Sequence, residues 1–298
     1  MSRPAASYAS SSFGARLRDV ALLFKLRLSG LVVFSALLGY QMGWADGGFD
    51  PAGLLVLAFA GLLVTGASNA FNQALEVETD ARMLRTADRP LVRGTMAMRT
   101  ALVLATVAGI AGVALLAAAF GPLTAVLGML SLVMYVALYT PMKRHTPWAV
   151  LVGAFPGAFP PLLGYVAATG HFGLGPGLLF AMQFMWQFPH FWSIAWLVEE
   201  DYARAGFHLL PSRGGSDPQS AFLILVYTLF VIPVGMLPWV FGLSGQWSMW
   251  VAVGAGLWML WPAFRLFRSL DKRDARRLMF ASFLYLPVVQ LAYVIDRT

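Results

Sequence analysis

Nine stretches of this chain, each about twenty residues long, are almost free of charge. They run at about 28–45, 52–74, 99–119, 121–140, 148–169, 174–197, 220–242, 247–267 and 278–295. A helix crosses the roughly 30 Å hydrocarbon core of a bilayer in about 20 apolar residues, so each stretch is long enough to span. Only 12% of the 298 residues are charged and 59% are hydrophobic, with a mean hydropathy of +0.69. Water-soluble domains carry about 25% charged residues, and this chain has too few to coat a soluble surface. The sequence therefore predicts an all-α, polytopic membrane bundle of nine transmembrane helices. With no cysteine, disulfides, thiolate metal sites, iron–sulfur clusters and cysteine nucleophiles are excluded.

The positive charges give the orientation. Arg3, Arg16, Arg18, Lys25 and Arg27 precede the first span, and Arg82, Arg85, Arg89, Arg93 and Arg99 follow the second. Lys143 and Arg144 follow the fourth span, and Arg204 and Arg213 follow the sixth. Arg265, Arg268, Lys272, Arg273, Arg276 and Arg277 follow the eighth, leaving only Arg297 at the C-terminus. The intervening connections have none, so the positive-inside rule puts the N-terminus in the cytoplasm and the C-terminus outside. Residues 1–24, rich in Ser and Ala, read as a cytoplasmic tail rather than a transit peptide, and 25–298 as one membrane domain. Acidic loops after spans 2 and 6, four helices apart, hint at a duplicated unit.

From Asn69 the chain reads NAFNQALEVETDARMLRTADRPLVRG. Asn72, Glu76 and Asp80 recur at i, i+4 and i+8, one helical stripe drifting about 40° per step. Oxygen-bearing side chains at a membrane boundary suit a hard cation, and Mg²⁺ commonly binds one or two carboxylates together with substrate phosphates. Glu78 falls on the opposite, solvated face. Arg82, Arg85, Arg89 and Arg93 follow, and guanidinium groups match phosphate oxygens. These arginines serve either topology or a diphosphate. The acids have no topological use, and polar groups at that depth mark function.

The string N-x-x-x-E-x-x-x-D-x-x-M-x-R-T-x-x-R-P-L-x-x-G, at Asn72, Glu76, Asp80, Met83, Arg85, Thr86, Arg89, Pro90, Leu91 and Gly94, resembles the first motif of the haem O synthases. These are a branch of the UbiA superfamily of membrane prenyltransferases. Tyr139–Pro147 (YTPMKRHTP) and GAFPGAFPPLLGYVAATG at 153–170 resemble two further family segments. So does WQFPHFW at 186–192 followed by Glu200, Asp201 and Tyr202. The resemblance runs over about residues 20–295. Lys25-Leu26-Arg27 stands where the family has Lys-Pro-Arg, and His208-Leu209 replaces a small residue and Met.

The resemblance implies transfer of farnesyl from farnesyl diphosphate to a vinyl group of haem B, giving haem O. It implies Mg²⁺ held by Asn72, Glu76, Asp80, Glu200 and Asp201, with Lys143 and Arg144 completing the catalytic set. Arg85, Arg89, Tyr139, Gln187, His190 and Tyr202 are the expected substrate contacts. Lys143 and Arg144 serve topology or the diphosphate, and Tyr139 is an interfacial belt residue or a hydrogen-bond donor to the diphosphate. Gln183, Gln187 and His190 fall at i, i+4 and i+7, with Asp201 about 20° away on a continuous helix. His190 either bridges helices or faces substrate, where haem iron or a propionate is one version of its partner.

The implied setting is a bacterial inner membrane, with a mitochondrial inner membrane less favoured. A downstream haem-modifying enzyme or terminal-oxidase assembly would use the product, and no nucleic acid is involved. The alternatives are a related prenyltransferase with a quinone-ring or chlorin acceptor, and a membrane transporter or scaffold. The first is opposed by the R-T-x-x-R-P-L and W-Q-x-P-H-F strings. The second needs charges near the bilayer midplane, whereas the acids here cluster at one face.

Overall fold

The computed structural model describes residues 12–44 and 48–298. Arg3 and the first eleven residues of the expected tail lie outside the described residues. The rest of that tail is helical: α1 spans Phe13–Leu23, and the Ser12 hydroxyl accepts from the Ala15 N–H at 3.3 Å. Helix α2 (Leu26–Met42) leaves α1 at 50°. The bend is at Lys25, whose φ of 46° is left-handed, a conformation that costs an L-residue about 1–2 kcal/mol.

The remaining long helices are α3 (Pro51–Leu75), α4 (Met98–Phe120), α5 (Pro122–Met142) and α6 (Ala149–Thr169). After them come α7 (Leu174–Leu197), α8 (Pro218–Val240), α9 (Gln246–Ser269) and α10 (Lys272–Ile295). Seven of these, all but α7, are each long and apolar enough to cross a membrane, and the bent α1–α2 pair passes the same test as one unit. Helix α7 is as long, but its glutamines, histidine and tryptophans lower its hydropathy. Apart from a bridge between Ser244 and Arg297, the described residues form no β-structure.

The outer faces are apolar. Ile110 and Trp258 are 67% and 51% exposed, which suits hydrocarbon and not water. Inside, α2, α6, α7 and α10 pack around a common centre, while α3–α5 and α8–α9 flank them. Two glycines allow α2 and α6 to touch along their backbones: a Cβ on Gly39 would strike the Pro161 carbonyl, and one on Gly164 the Ala36 carbonyl. Small residues give such close approach in membranes, where packing must replace the hydrophobic effect.

Polar side chains then tie the ring together. The Ser35 hydroxyl of α2 donates to Gln183 Oε1 of α7 at 2.7 Å, and Gln290 Nε2 of α10 donates to both at 2.8 Å. Gln183 Nε2 donates in turn to the Gly157 carbonyl of α6 at 2.7 Å. With no water to substitute, such groups must be satisfied by neighbouring helices.

Gly164→Ala should therefore destabilise the protein by about 1–3 kcal/mol through overpacking against backbone. Gly177→Ala, where nothing lies within 4 Å of the added carbon, should be neutral or stabilising. Thermal unfolding of both variants in detergent checks the contrast.

Candidate functional site

Helix α3 ends on the acidic motif. Glu76 leaves helical geometry (φ −108°) and a single turn, Val77–Asp80, follows. The stripe read from the sequence is thus broken at its middle residue. Backbone hydrogen bonds nevertheless run from Glu76 N to Asn72 O and from Asp80 N to Glu76 O, which keeps the three side chains together. Asn72, Glu76 and Asp80 are all buried, and Glu78 is exposed, as the opposite-face reading predicts.

The next fourteen residues fold back over this stripe. Met83 and Thr86 are buried, and the Thr86 hydroxyl donates to the Asp80 carbonyl at 2.8 Å. Arg89 returns to form an ion pair with the Asp80 carboxylate. Pro90 opens a single helical turn, Pro90–Arg93, and Gly94 ends it with a left-handed φ of 74°. Arg93 reaches α1 and pairs with Asp19 at 2.8 Å. The motif is therefore largely a folding instruction, in which apolar anchors and turn residues carry Arg89 onto Asp80.

A second wall comes from α5, where Met134–Tyr139 is a π-helical stretch. Pro141 has no N–H to continue the α-ladder, and Thr140 donates its N–H to Tyr135 O, five residues back. Such bulges occur often at functional sites. Beyond it the Lys143 ammonium pairs with Glu76 Oε1 at 2.6 Å and lies 4.9 Å from the Tyr139 ring centroid. Gly153 on α6 leaves the room that the Tyr139 ring fills. Thr140 Oγ1 accepts from Asn72 Nδ2 at 3.2 Å, and Asn72 also donates to Glu76 at 2.8 Å. Arg144 turns away, stays exposed, and donates to the Leu75 carbonyl at the end of α3.

The acidic residues after α7 separate. Both Asp201 oxygens accept backbone N–H groups, from Leu84 at 2.8 Å and Arg85 at 3.2 Å, so Asp201 fastens the motif loop. Tyr202 lies beneath the Arg85 guanidinium, 5.6 Å away. Glu200 is exposed and pairs with Lys272 on α10, which holds its carboxyl below the ordinary range. Glu199 accepts from the Ser216 N–H at 3.0 Å. Among the described residues, no three His, Asp or Glu side chains gather closely enough to hold a metal alone.

Higher on α7, the predicted polar stripe is divided among partners. Gln187 Nε2 donates to the Ala154 carbonyl of α6 at 2.8 Å. His190 turns to α10, its Nδ1 2.8 Å from Ser282 Oγ, and stacks on Trp186 with centroids 4.5 Å apart. The Ser282 hydroxyl also lies 2.7 Å from the Met279 carbonyl, to which it donates. It therefore accepts from His190 Nδ1–H, which leaves a lone pair on Nε2.

Two residues of the site were not among the expected site residues, although Lys25 falls in the Lys-Leu-Arg segment compared above with the family. Lys25, at the α1–α2 bend, brings Nζ to 3.4 Å from Asn72 Oδ1 and faces Glu76, Asp80, Arg89 and Lys143. Tyr135, one turn before Tyr139 with ring centroids 5.2 Å apart, stands near Glu76, Asp80 and Arg89. Its only clue is the i, i+4 spacing to Tyr139.

Burial raises the Asp80 carboxyl above its ordinary value despite Arg89 beside it, and burial lowers Lys143 despite Glu76. Asp80 Oδ1 is buried without a hydrogen-bond partner. A desolvated carboxylate with a spare oxygen fits a cation that takes its remaining ligands from a substrate.

The family model described as the UbiA prenyltransferase family matches residues 32–286. A protein of Cytophaga hutchinsonii named protoheme IX farnesyltransferase is 43% identical over 92% of this chain and 96% of its own length. A structure solved in work on digeranylgeranylglyceryl phosphate synthase in membranes superposes with a TM-score of 0.77 at 15% identity, covering 95% of this chain and 98% of that one. A UbiA homologue from Archaeoglobus fulgidus bound to GPP and Mg²⁺ gives 0.67 at 12% identity, covering 93% and 99%.

Removing one partner of a buried ion pair strands the other charge, which typically costs about 3–5 kcal/mol. Lys143→Met should therefore lower stability by about that much, and the added change Glu76→Gln should restore most of it. Thermal unfolding of the single and double variants tests the pair.

Proposed function

The chain belongs to the UbiA prenyltransferase family, and on that footing we propose that it transfers farnesyl from farnesyl diphosphate to haem B, giving haem O. It is an integral membrane enzyme. The observation that carries the reading is the buried cluster of Asn72, Glu76 and Asp80 against Lys143 and Arg89. It pairs groups suited to a metal with groups suited to a diphosphate.

The reaction breaks the bond between C1 of the farnesyl chain and the diphosphate oxygen, and the diphosphate leaves with the electron pair. Lys143, Arg89 and Arg85 neutralise that departing charge, stabilisation that matters most in a water-poor site. The allylic cation left behind is shielded by the faces of Tyr139, Tyr202 and Tyr135. The vinyl π-electrons of haem then form the carbon–carbon bond. Water adds to the resulting cation and loses a proton, giving a hydroxyethylfarnesyl side chain. Mg²⁺ would be held by Asn72, Glu76 and Asp80 and would supply Lewis-acid neutralisation of the diphosphate, while Asp201 fastens the loop that carries Arg85 and Glu200 stays paired with Lys272. Arg144 has no part in this step, since it donates to the Leu75 carbonyl at the end of α3.

Gln187 and His190 line the acceptor side, and the free Nε2 of His190 supports a contact with haem. The same reading takes α2–α10 as nine spans in a bacterial inner membrane, with residues 1–24 cytoplasmic and the C-terminus outside. The alternation of basic loops supports it. The site then faces the cytoplasm, and the product passes to a haem-modifying enzyme or oxidase assembly.

Conversion of haem B and farnesyl diphosphate to haem O by the purified protein should require Mg²⁺. Asp80→Asn should lower turnover by about 10²–10³-fold in a folded protein, and near-normal turnover at saturating Mg²⁺ would refute the metal role.

His190→Ala should weaken haem binding, read from its absorption band, more than binding of a diphosphate analogue. Equal weakening of both, together with lost stability, is the outcome of a purely helix-bridging histidine.

A further inference from the structure

Each acid of the cluster is neutralised by a cation that the reaction assigns to the diphosphate. Glu76 pairs with Lys143 and Asp80 with Arg89, all with side chains at most 15% exposed. Lys25 stands beside the two pairs, its Nζ 3.4 Å from the Asn72 amide oxygen. We propose that the two ion pairs lock the site, so that a divalent cation and a diphosphate can open it only together. The inference rests on the metal–diphosphate reading above and adds the linkage between the two ligands.

The physical reason is the cost of stranded charge. A metal binding alone to Glu76 and Asp80 leaves Lys143 and Arg89 buried without counter-ions. A diphosphate binding alone to those cations leaves the two carboxylates unpaired. Either is expensive in a desolvated setting. When both arrive, the four side chains exchange partners and none is left over. The unpartnered Oδ1 of Asp80 gives the cation a first foothold. Each ligand therefore raises the affinity of the other by the same factor, and such couplings commonly fall in the range of roughly 5–150-fold.

Calorimetry on the full chain in nanodiscs tests this, with Mg²⁺ titrated alone and with saturating farnesyl thiodiphosphate at matched free Mg²⁺. The analogue should tighten Mg²⁺ binding at least about tenfold. Contact between metal and analogue would also produce coupling, so the deciding arm is Mg²⁺ alone on Lys143→Gln. Release of Glu76 should raise Mg²⁺ affinity several-fold there and lower affinity for inorganic pyrophosphate in EDTA. Arg276→Gln, which removes an exposed charge on α10 outside both pairs, should leave Mg²⁺ affinity unchanged. Arg89→Gln, which frees Asp80, repeats the test should Lys143→Gln not fold. Absence of coupling in the wild type overturns the lock, as does unchanged or weaker Mg²⁺ binding in the freed-acid variants. Turnover that needs no divalent cation would instead overturn the metal reading on which the lock rests.

Discussion

A carboxylate buried at the end of an apolar helix cannot stand alone. Its charge must be met by a cation, a metal or a proton, and in this protein Glu76 and Asp80 are met by Lys143 and Arg89. That requirement organises the surrounding chain. The loop after α3 doubles back because Arg89 must reach Asp80, and the end of α5 turns inward because Lys143 must reach Glu76. Asp201 then holds the folded loop by its backbone N–H groups. The ends of two long helices, α3 and α5, and the loop after α3 are fixed by two ion pairs.

Much of this was legible in the sequence. The apolar windows coincide with α2 to α10 because twenty uncharged residues in a row leave a chain little choice. The acidic stripe follows from spacing, whereas the return of Arg89 onto Asp80 does not. What spacing could not provide was the destination of groups joined across the fold. Glu200 and Asp201 are adjacent, yet one pairs with α10 and the other fastens a loop more than a hundred residues away. Arg144 beside Lys143 caps α3 instead of entering the site. Lys25 marked a family-like segment in the sequence, but its place in the site depends on a left-handed residue at a bend, which no periodicity announces.

The same limit applies on α7. Periodicity puts Gln183, Gln187 and His190 on one side of the helix, but their bonds spread over three neighbours: Gln183 reaches α2, α6 and α10, Gln187 α6, and His190 α10. The stripe therefore helps to hold the ring around the centre of the bundle. Of these three side chains, the imidazole keeps a nitrogen free of such a bond.

The π-helical stretch of α5 sets the helical phase of everything after it. One extra residue within a turn rotates the downstream chain by about 100° relative to an uninterrupted α-helix. Tyr135 lies at the start of that stretch, Tyr139 at its end and Lys143 beyond it. A chain shortened by one residue there would form a more regular helix, with its lysine aimed elsewhere. The irregularity therefore works as a phase setting: evolution can substitute side chains freely along the lipid face of α5, but the number of residues before Lys143 is not free to drift.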